Sequence, residues 1–484
     1  MCSPFVWAVA ALSSMPPDAA RIRILDDWRA GHAERRADQA AFADRALWLW
    51  GAAILVIMLL YMLIGPTPYQ HEAALDPDTG ANTVSPINRV IWLALFAMAA
   101  PILWFRRAVL VESLLRLWPL LVMFAWFSAT TRWALDPGVS NKRLFLYLIS
   151  AAICLAVSLG VREGRRMHQA LAVAAALMVA IDFGSWVVVP AKAMTELGLA
   201  GIHTHKNTLG SAMMLSGLVC GSYLLTQKTF LGRLFWGGVL AAAFVLLVAS
   251  KSKTSLAIFI AASAAAPVLA LILRQRASFI WALAASALAG LGALALAWLG
   301  WCDSQGLDPL AQIRNVTFTQ RRDVWVFALG VFAQHPWTGV GFGSMWDVDA
   351  AVQPSLQTDL WFAKPDAFTN EAHNGYIDLL ATTGIFGLLG SLAMLLRWIW
   401  RSLGMIRLAQ ISPHAIDRMA LPYSLYLGLF PLLFFVHNFM ESSYFTANAT
   451  FGTLILLIGT DVDLRWPDRR RPGGLNAPDF GSGR

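Results

Sequence analysis

Apolar runs of about 18 to 23 residues recur along this chain, and they limit what it can become, because a helix of about 20 residues matches the ~30 Å hydrocarbon layer of a bilayer. They fall near 46–65, 88–105, 109–130, 143–161, 167–189, 207–226, 234–250, 255–273, 278–300, 374–396, 421–440 and 445–460, twelve in all. Of the 484 residues 57% are hydrophobic and only 14% charged, too little polarity for a water-facing exterior. The fold class expected is therefore all-α, a polytopic membrane protein of about 12 transmembrane helices. Five parts follow: an N-terminal segment 1–45, helices one to nine over 46–300, a large polar loop 301–373, helices ten to twelve over 374–460, and a basic tail 461–484.

Cys2, Cys154, Cys220 and Cys302 lie far apart and form no Cys-x-x-Cys pair, so neither a zinc site nor a disulfide framework is expected. A net charge of +8 would suit nucleic acid in a soluble protein, but in a membrane protein Lys and Arg mark the cytoplasmic side, so no nucleic-acid partner is expected. The run Phe5 to Leu12 is short and is followed by a polar stretch, which argues against a cleavable leader.

Counting Lys and Arg by alternate connections favours an N-in, C-in arrangement by roughly two to one. On that arrangement four unusual polar stretches share the outer face. They are Gly201-Ile202-His203-Thr204-His205-Lys206-Asn207, Ser250-Lys251-Ser252-Lys253-Thr254, the 301–373 loop, and His437-Asn438 with Glu441. Cations gathered on the outer side run against the usual bias and suit an anion. Snorkelling to lipid phosphates is the plainer alternative for each one taken alone. Arg321 offers a planar fork for two phosphate oxygens, with Arg322 beside it, while Lys251 and Lys253 offer compact charge. His373 could take a proton near neutral pH; alternatively His373 and Asn374 cap the helix that follows.

The order of motifs carries a resemblance. Arg321 with Trp325, then Pro336 with Gly339, Gly341 and Gly343, then His373-Asn374, then Gly384-Ile385-Phe386-Gly387 resembles the O-antigen ligase and polymerase superfamily of membrane glycosyltransferases over about residues 200–460. Gln320 stands where that family commonly has glycine before the arginine, and Ser-Lys-Ser-Lys stands where it has Ser-Arg. His205-Lys206-Asn207, with the lysine variant, looks most like members that polymerise exopolysaccharide repeat units.

The resemblance implies a GT-C-like enzyme of the bacterial cytoplasmic (inner) membrane with its site facing the periplasm. Its donor would be an undecaprenyl-pyrophosphate-linked glycan and its acceptor a second glycan or lipid A core; a chain-length regulator and a flippase would be partners besides the bilayer. His373 would be the general base and Arg321 the pyrophosphate ligand, aided by Lys251 or Lys253, Arg322, His205, Lys206, Asn207, Asn374 and Glu441. No cofactor is implied, and an inverting, metal-independent displacement is expected.

Two rivals have specific residues. His203, His205, His373, His437 and Glu441 could suggest a metal, but no two of these histidines are spaced i, i+4, and Asp347-Val348-Asp349 is matched by Asp461-Val462-Asp463 on the other side of the membrane. A twelve-helix transporter would use Arg116 and Asp182 inside spans three and five, yet no internal repeat is evident.

Overall fold

A computed structural model describes residues 17–70, 86–308, 321–364, 369–411, 421–446 and 449–467. Thr317 to Gln320, residues 1–16 and the tail with Arg469, Arg470 and Arg471 lie outside the described residues. The chain divides into two compact units, 1–50 and 51–484, the boundary falling within the first helix.

The architecture is helical. In chain order it comprises α1 (Pro17–Ile64), α2 (Pro86–Phe105), α3 (Arg107–Arg116), α4 (Trp118–Thr130), α5 (Pro137–Gly160), α6 (Gly164–Val188), the two-residue strands β1 (Met194–Thr195) and β2 (Gly198–Leu199), then α7 (Lys206–Leu224), α8 (Phe230–Ala249), α9 (Lys253–Leu273) and α10 (Ala277–Ser304). There follow α11 (Arg321–Gln334), α12 (Gly375–Ile411), α13 (Leu421–His437) and α14 (Thr450–Arg465). Every apolar run expected from the sequence overlaps at least one of these helices. Among the described residues eight are long and apolar enough to cross a membrane, and α3 with α4 counts as a ninth if a 77° bend lies within one span.

That bend explains Arg116. Pro119 cannot donate to the turn before it, so the helix breaks at Leu117, and Arg116 leaves the apolar run. It pairs with Glu112 at 3.0 Å and donates to the carbonyls of Leu464 and Trp466. Asp182 is likewise paired: its Oδ2 lies 3.0 Å from His203 Nε2, both side chains fully buried, while His203 Nδ1 donates to the Leu63 carbonyl at 2.7 Å. The two charges that would have marked a transport path are thus partnered within the helical unit.

A short chain of contacts puts all four polar stretches at one end of unit 51–484. Gly375 N–H donates to Asn438 O at 2.9 Å, His437 stacks on Phe451 with ring centroids 4.0 Å apart, and Thr450 donates to Met62 O. Leu63 then meets His203 as above, and β2 packs Gly198 against Ser250 and Lys251. The other end gathers Arg116, Arg397, Arg401, Asp463 and Arg465. Here Asp461 and Asp463 are buried helical residues of α14, not part of the tail expected from 461 on; they pair with Arg465 at 2.7 Å and with Arg401 at 2.6 Å.

Within the long polar stretch the sequence suggested a loop; the structure adds a helix. Val324, Ala328 and Val331 of α11 recur at helical spacing and pack with Val340, Met345, Trp346, Phe362 and Ala372 into a core of their own. The described part of the expected loop thus includes a small folded cap.

Candidate active site

The site grows from the start of α12. Asn374 caps that helix, its Oδ1 accepting from the N–H groups of Tyr376 (3.1 Å) and Ile377 (3.3 Å). Its own carbonyl takes Asp378 N–H, and Asn438 O takes Gly375 N–H. The first amides of α12 are all occupied, so the helix start offers no free donor to a phosphate, and the Asn374 side chain is buried in the cap.

One residue earlier, His373 adopts φ 48°, a left-handed conformation costly for a non-glycine residue. Its neighbours are pinned on both sides. Ala372 N–H donates to the Asp378 carboxylate at 3.1 Å, Ala372 O accepts from Trp325 Nε1 at 2.9 Å, and Asn374 N–H donates to Ser442 Oγ at 3.1 Å. Asp378 also accepts from Trp346 Nε1 at 2.8 Å and from the Ser442 hydroxyl. The backbone around His373 is thus held by α11, by α12 and by the segment after α13.

That pinning aims the imidazole between two carboxylates. His373 Nδ1 stands 2.7 Å from Glu371 Oε1 and 3.4 Å from Glu441 Oε2. Glu441 Oε1 in turn lies 3.5 Å from Arg321 Nη2, while Arg321 Nη1 donates to Met440 O at 2.5 Å. The hydrogen bond to Glu371, then that to Glu441, pushes the His373 pKa up to about 9. Burial pushes Glu371 up. Burial also works against Glu441, but His373 and Arg321 hold it below the usual carboxylate range. In the resting site His373 therefore carries a proton at neutral pH and must lose it before acting as a base.

The structure thus brings Arg321, His373, Asn374 and Glu441 together, and leaves Arg322 exposed on the cap. The other five expected residues form a second group around the β1–β2 hairpin at the same end. Lys206 Nζ donates to Leu197 O at 3.3 Å, His205 caps α7 by accepting from Asn207 N–H at 3.2 Å, Lys251 lies over Gly198 with φ 56°, and Lys253 opens α9. No hydrogen bond or ion pair among the described residues joins the two groups.

Glu371, Asp378, Ser442 and Arg143 were not anticipated as site-building residues. Glu371 sits two positions before the histidine, a spacing with no signature of its own. Arg143 of α5 donates to the carbonyls of Gly343, Trp346 (2.7 Å) and Asp347 (3.0 Å), seating the segment that follows α11. Glu371, His373 and Glu441 could also converge on one cation. Arg321 already lies against one face of Glu441, and the imidazole nitrogen nearest the carboxylates is the one they hold protonated, which suits a proton site better than a metal.

The glycine turn is fixed against a break in α12. Gly384 has φ 70° and ψ −174° inside that helix, splitting it into 375–383 and 385–411. Val340 N–H donates to Ala381 O at 3.0 Å, Gly341 N–H to Thr382 O at 2.8 Å, Trp126 Nε1 to Thr383 O at 3.0 Å, and Ile385 N–H to Pro336 O at 2.9 Å. The groups orphaned by the break are thereby satisfied, as an apolar surrounding requires.

Among curated proteins nothing matches the chain. Residues 236–392 match the family model described as O-antigen ligase, a stretch that includes Lys251, Lys253, Arg321, His373 and Gly384 and stops short of Glu441. The match bears out the resemblance read from the sequence: over this stretch the chain is similar to the O-antigen ligase family, which supports the O-antigen ligase and polymerase superfamily.

Proposed function

We propose that the protein transfers or polymerises undecaprenyl-pyrophosphate-linked oligosaccharide repeat units on the periplasmic side of the bacterial inner membrane, in exopolysaccharide or O-antigen synthesis. The observation that carries this is the linkage of Arg321 to His373 through Glu441, which sets an anion ligand and a proton acceptor side by side. Outside the cytoplasm no nucleotide sugar is at hand, so the donor must arrive already activated.

In this reading the acceptor hydroxyl oxygen bonds to the donor's anomeric carbon as that carbon's bond to the pyrophosphate oxygen breaks. The electron pair leaves with the pyrophosphate, steadied by Arg321 and by the hairpin lysines, and the hydroxyl proton passes to neutral His373. Glu371 raises the basicity of the imidazole, and Glu441 fixes it beside Arg321. Neither carboxylate is free to act as a nucleophile, since both are engaged by His373; a single displacement with inversion follows. The proposed topology keeps N-in, C-in and twelve spans, counting the shorter helices α7, α13 and α14.

A ligase that delivers the glycan to lipid A core is the second reading, favoured by the family description itself. A deletion strain separates the two. Loss of secreted polymer with intact lipopolysaccharide supports the polymerase, loss of O-antigen from the core supports the ligase, and an unchanged profile of both would overturn the assignment.

A further inference from the structure

The end of unit 51–484 away from the candidate active site carries an open cavity of about 670 Å³. Its polar floor is Arg397 and Arg401 of α12; its walls include Ala393, Leu396, Trp400 and Trp466. Arg397 Nε lies 3.3 Å and Arg401 Nη1 2.6 Å from the same Asp463 oxygen. Trp398 Nε1 donates to the other Asp463 oxygen at 3.2 Å, and Arg397 Nη2 reaches Arg116 O at 3.4 Å. Two guanidinium groups that line the cavity thus share one nearly buried carboxylate, which among the described residues leaves one positive charge over.

The rest of the lining is apolar and aromatic. Arg401 lies over the Trp466 ring, 5.7 Å from its centroid, and Trp400, 63% exposed, approaches Trp281 of α10 with ring centroids 6.2 Å apart. Surplus cation on the floor, hydrocarbon on the wall and indole at the rim match a molecule with an anionic head and apolar tails. A planar fork suits its phosphate oxygens, whereas free phosphate would make no use of the wall. We propose that this cavity binds the headgroup phosphate of an anionic phospholipid, a site distinct from the one that handles glycan.

The test is native mass spectrometry of the full-length protein from neutral-lipid nanodiscs, titrated with phosphatidylglycerol or with phosphatidylcholine. The wild type is expected to retain phosphatidylglycerol preferentially. Arg401→Gln, which leaves Asp463 its bonds to Arg397 and Trp398, should lower that affinity about tenfold, the size of one charge-assisted bond. Arg274→Gln, an exposed cation outside the cavity, should not. Equal retention of phosphatidylcholine, unchanged binding by Arg401→Gln, or an equal loss in Arg274→Gln would each overturn the proposal. Displacement of the lipid by inorganic phosphate at comparable concentration would also overturn it, in favour of a free-phosphate site.

Discussion

A Cβ placed on Gly384 would stand 2.2 Å from the carbonyl oxygen of Trp337, because the turn after α11 is pressed directly onto the break in α12. The reverse contact is as close: a Cβ on Gly339 would meet the Thr382 carbonyl carbon at 2.4 Å. Both glycines also have positive φ, 70° and 63°. Gly384→Ala should therefore cost more than the ~1 kcal/mol of conformational strain alone. Reduced accumulation and a lowered Tm of the purified protein would show it; a variant as stable as wild type would mean the turn and the break separate easily.

The pKa of about 9 at His373 has a kinetic signature. If the neutral imidazole is the base, kcat/KM should rise with pH through about 9. Glu371→Gln removes the largest cause of the elevation and should move the inflection down towards the ordinary histidine value of ~6.5. An inflection unmoved by Glu371→Gln would sink this role for the pair.

The same elevation acts on stability with a defined sign. The folded value lies above the unfolded one, so the contribution of protonated His373 is complete below about 6.5 and fades as pH rises through about 9. His373→Gln should flatten thermal stability across that window, as measured by melting at a series of pH values.

Arg321→Ala should abolish polymer formation while the protein still accumulates in the membrane, and Arg321→Lys should restore little, since the fork that spans Glu441 and Met440 is lost. At the hairpin the order differs: Lys253→Arg should retain more activity than Lys253→Ala. Equal activity of the two lysine variants would remove Lys253 from the anion site.

Among the described residues, His203→Ala leaves Asp182 buried with only the Ile202 amide as partner. A loss of about 3–5 kcal/mol is the usual cost of stripping one member from a buried pair, and it should appear as failure to accumulate. A well-folded His203→Ala protein would show that water or a neighbour replaces the imidazole.

Much of this was legible in the sequence, for a physical reason. Hydrocarbon demands long apolar runs, so the helical membrane class is written in composition, and the spaced Arg, His-Asn and glycine motifs point to one domain. Partnership was less legible. Nothing at position 371 distinguishes a carboxylate that grips His373 from a solvated one, because the grip depends on the left-handed turn of the backbone there. Arg116 read as a charge inside a span because Pro119, the residue that ends the helix, lies three positions further on. The apolar spacing of Val324, Ala328 and Val331 was present, yet the surrounding polarity hid a helix that is buried only by the chain that returns to cover it.

Glycine-rich turns near a site invite comparison with flaps, and the break at Gly384 argues otherwise. The stretch from Pro336 to Asp347 is fastened by main-chain bonds to Ala381, Thr382 and Ile385 and by the guanidinium of Arg143. Lifting it would leave carbonyls and amides unmatched beside apolar helices. Its glycines are welds rather than hinges, and under the proposed mechanism a glycan reaches His373 by a route that leaves them closed.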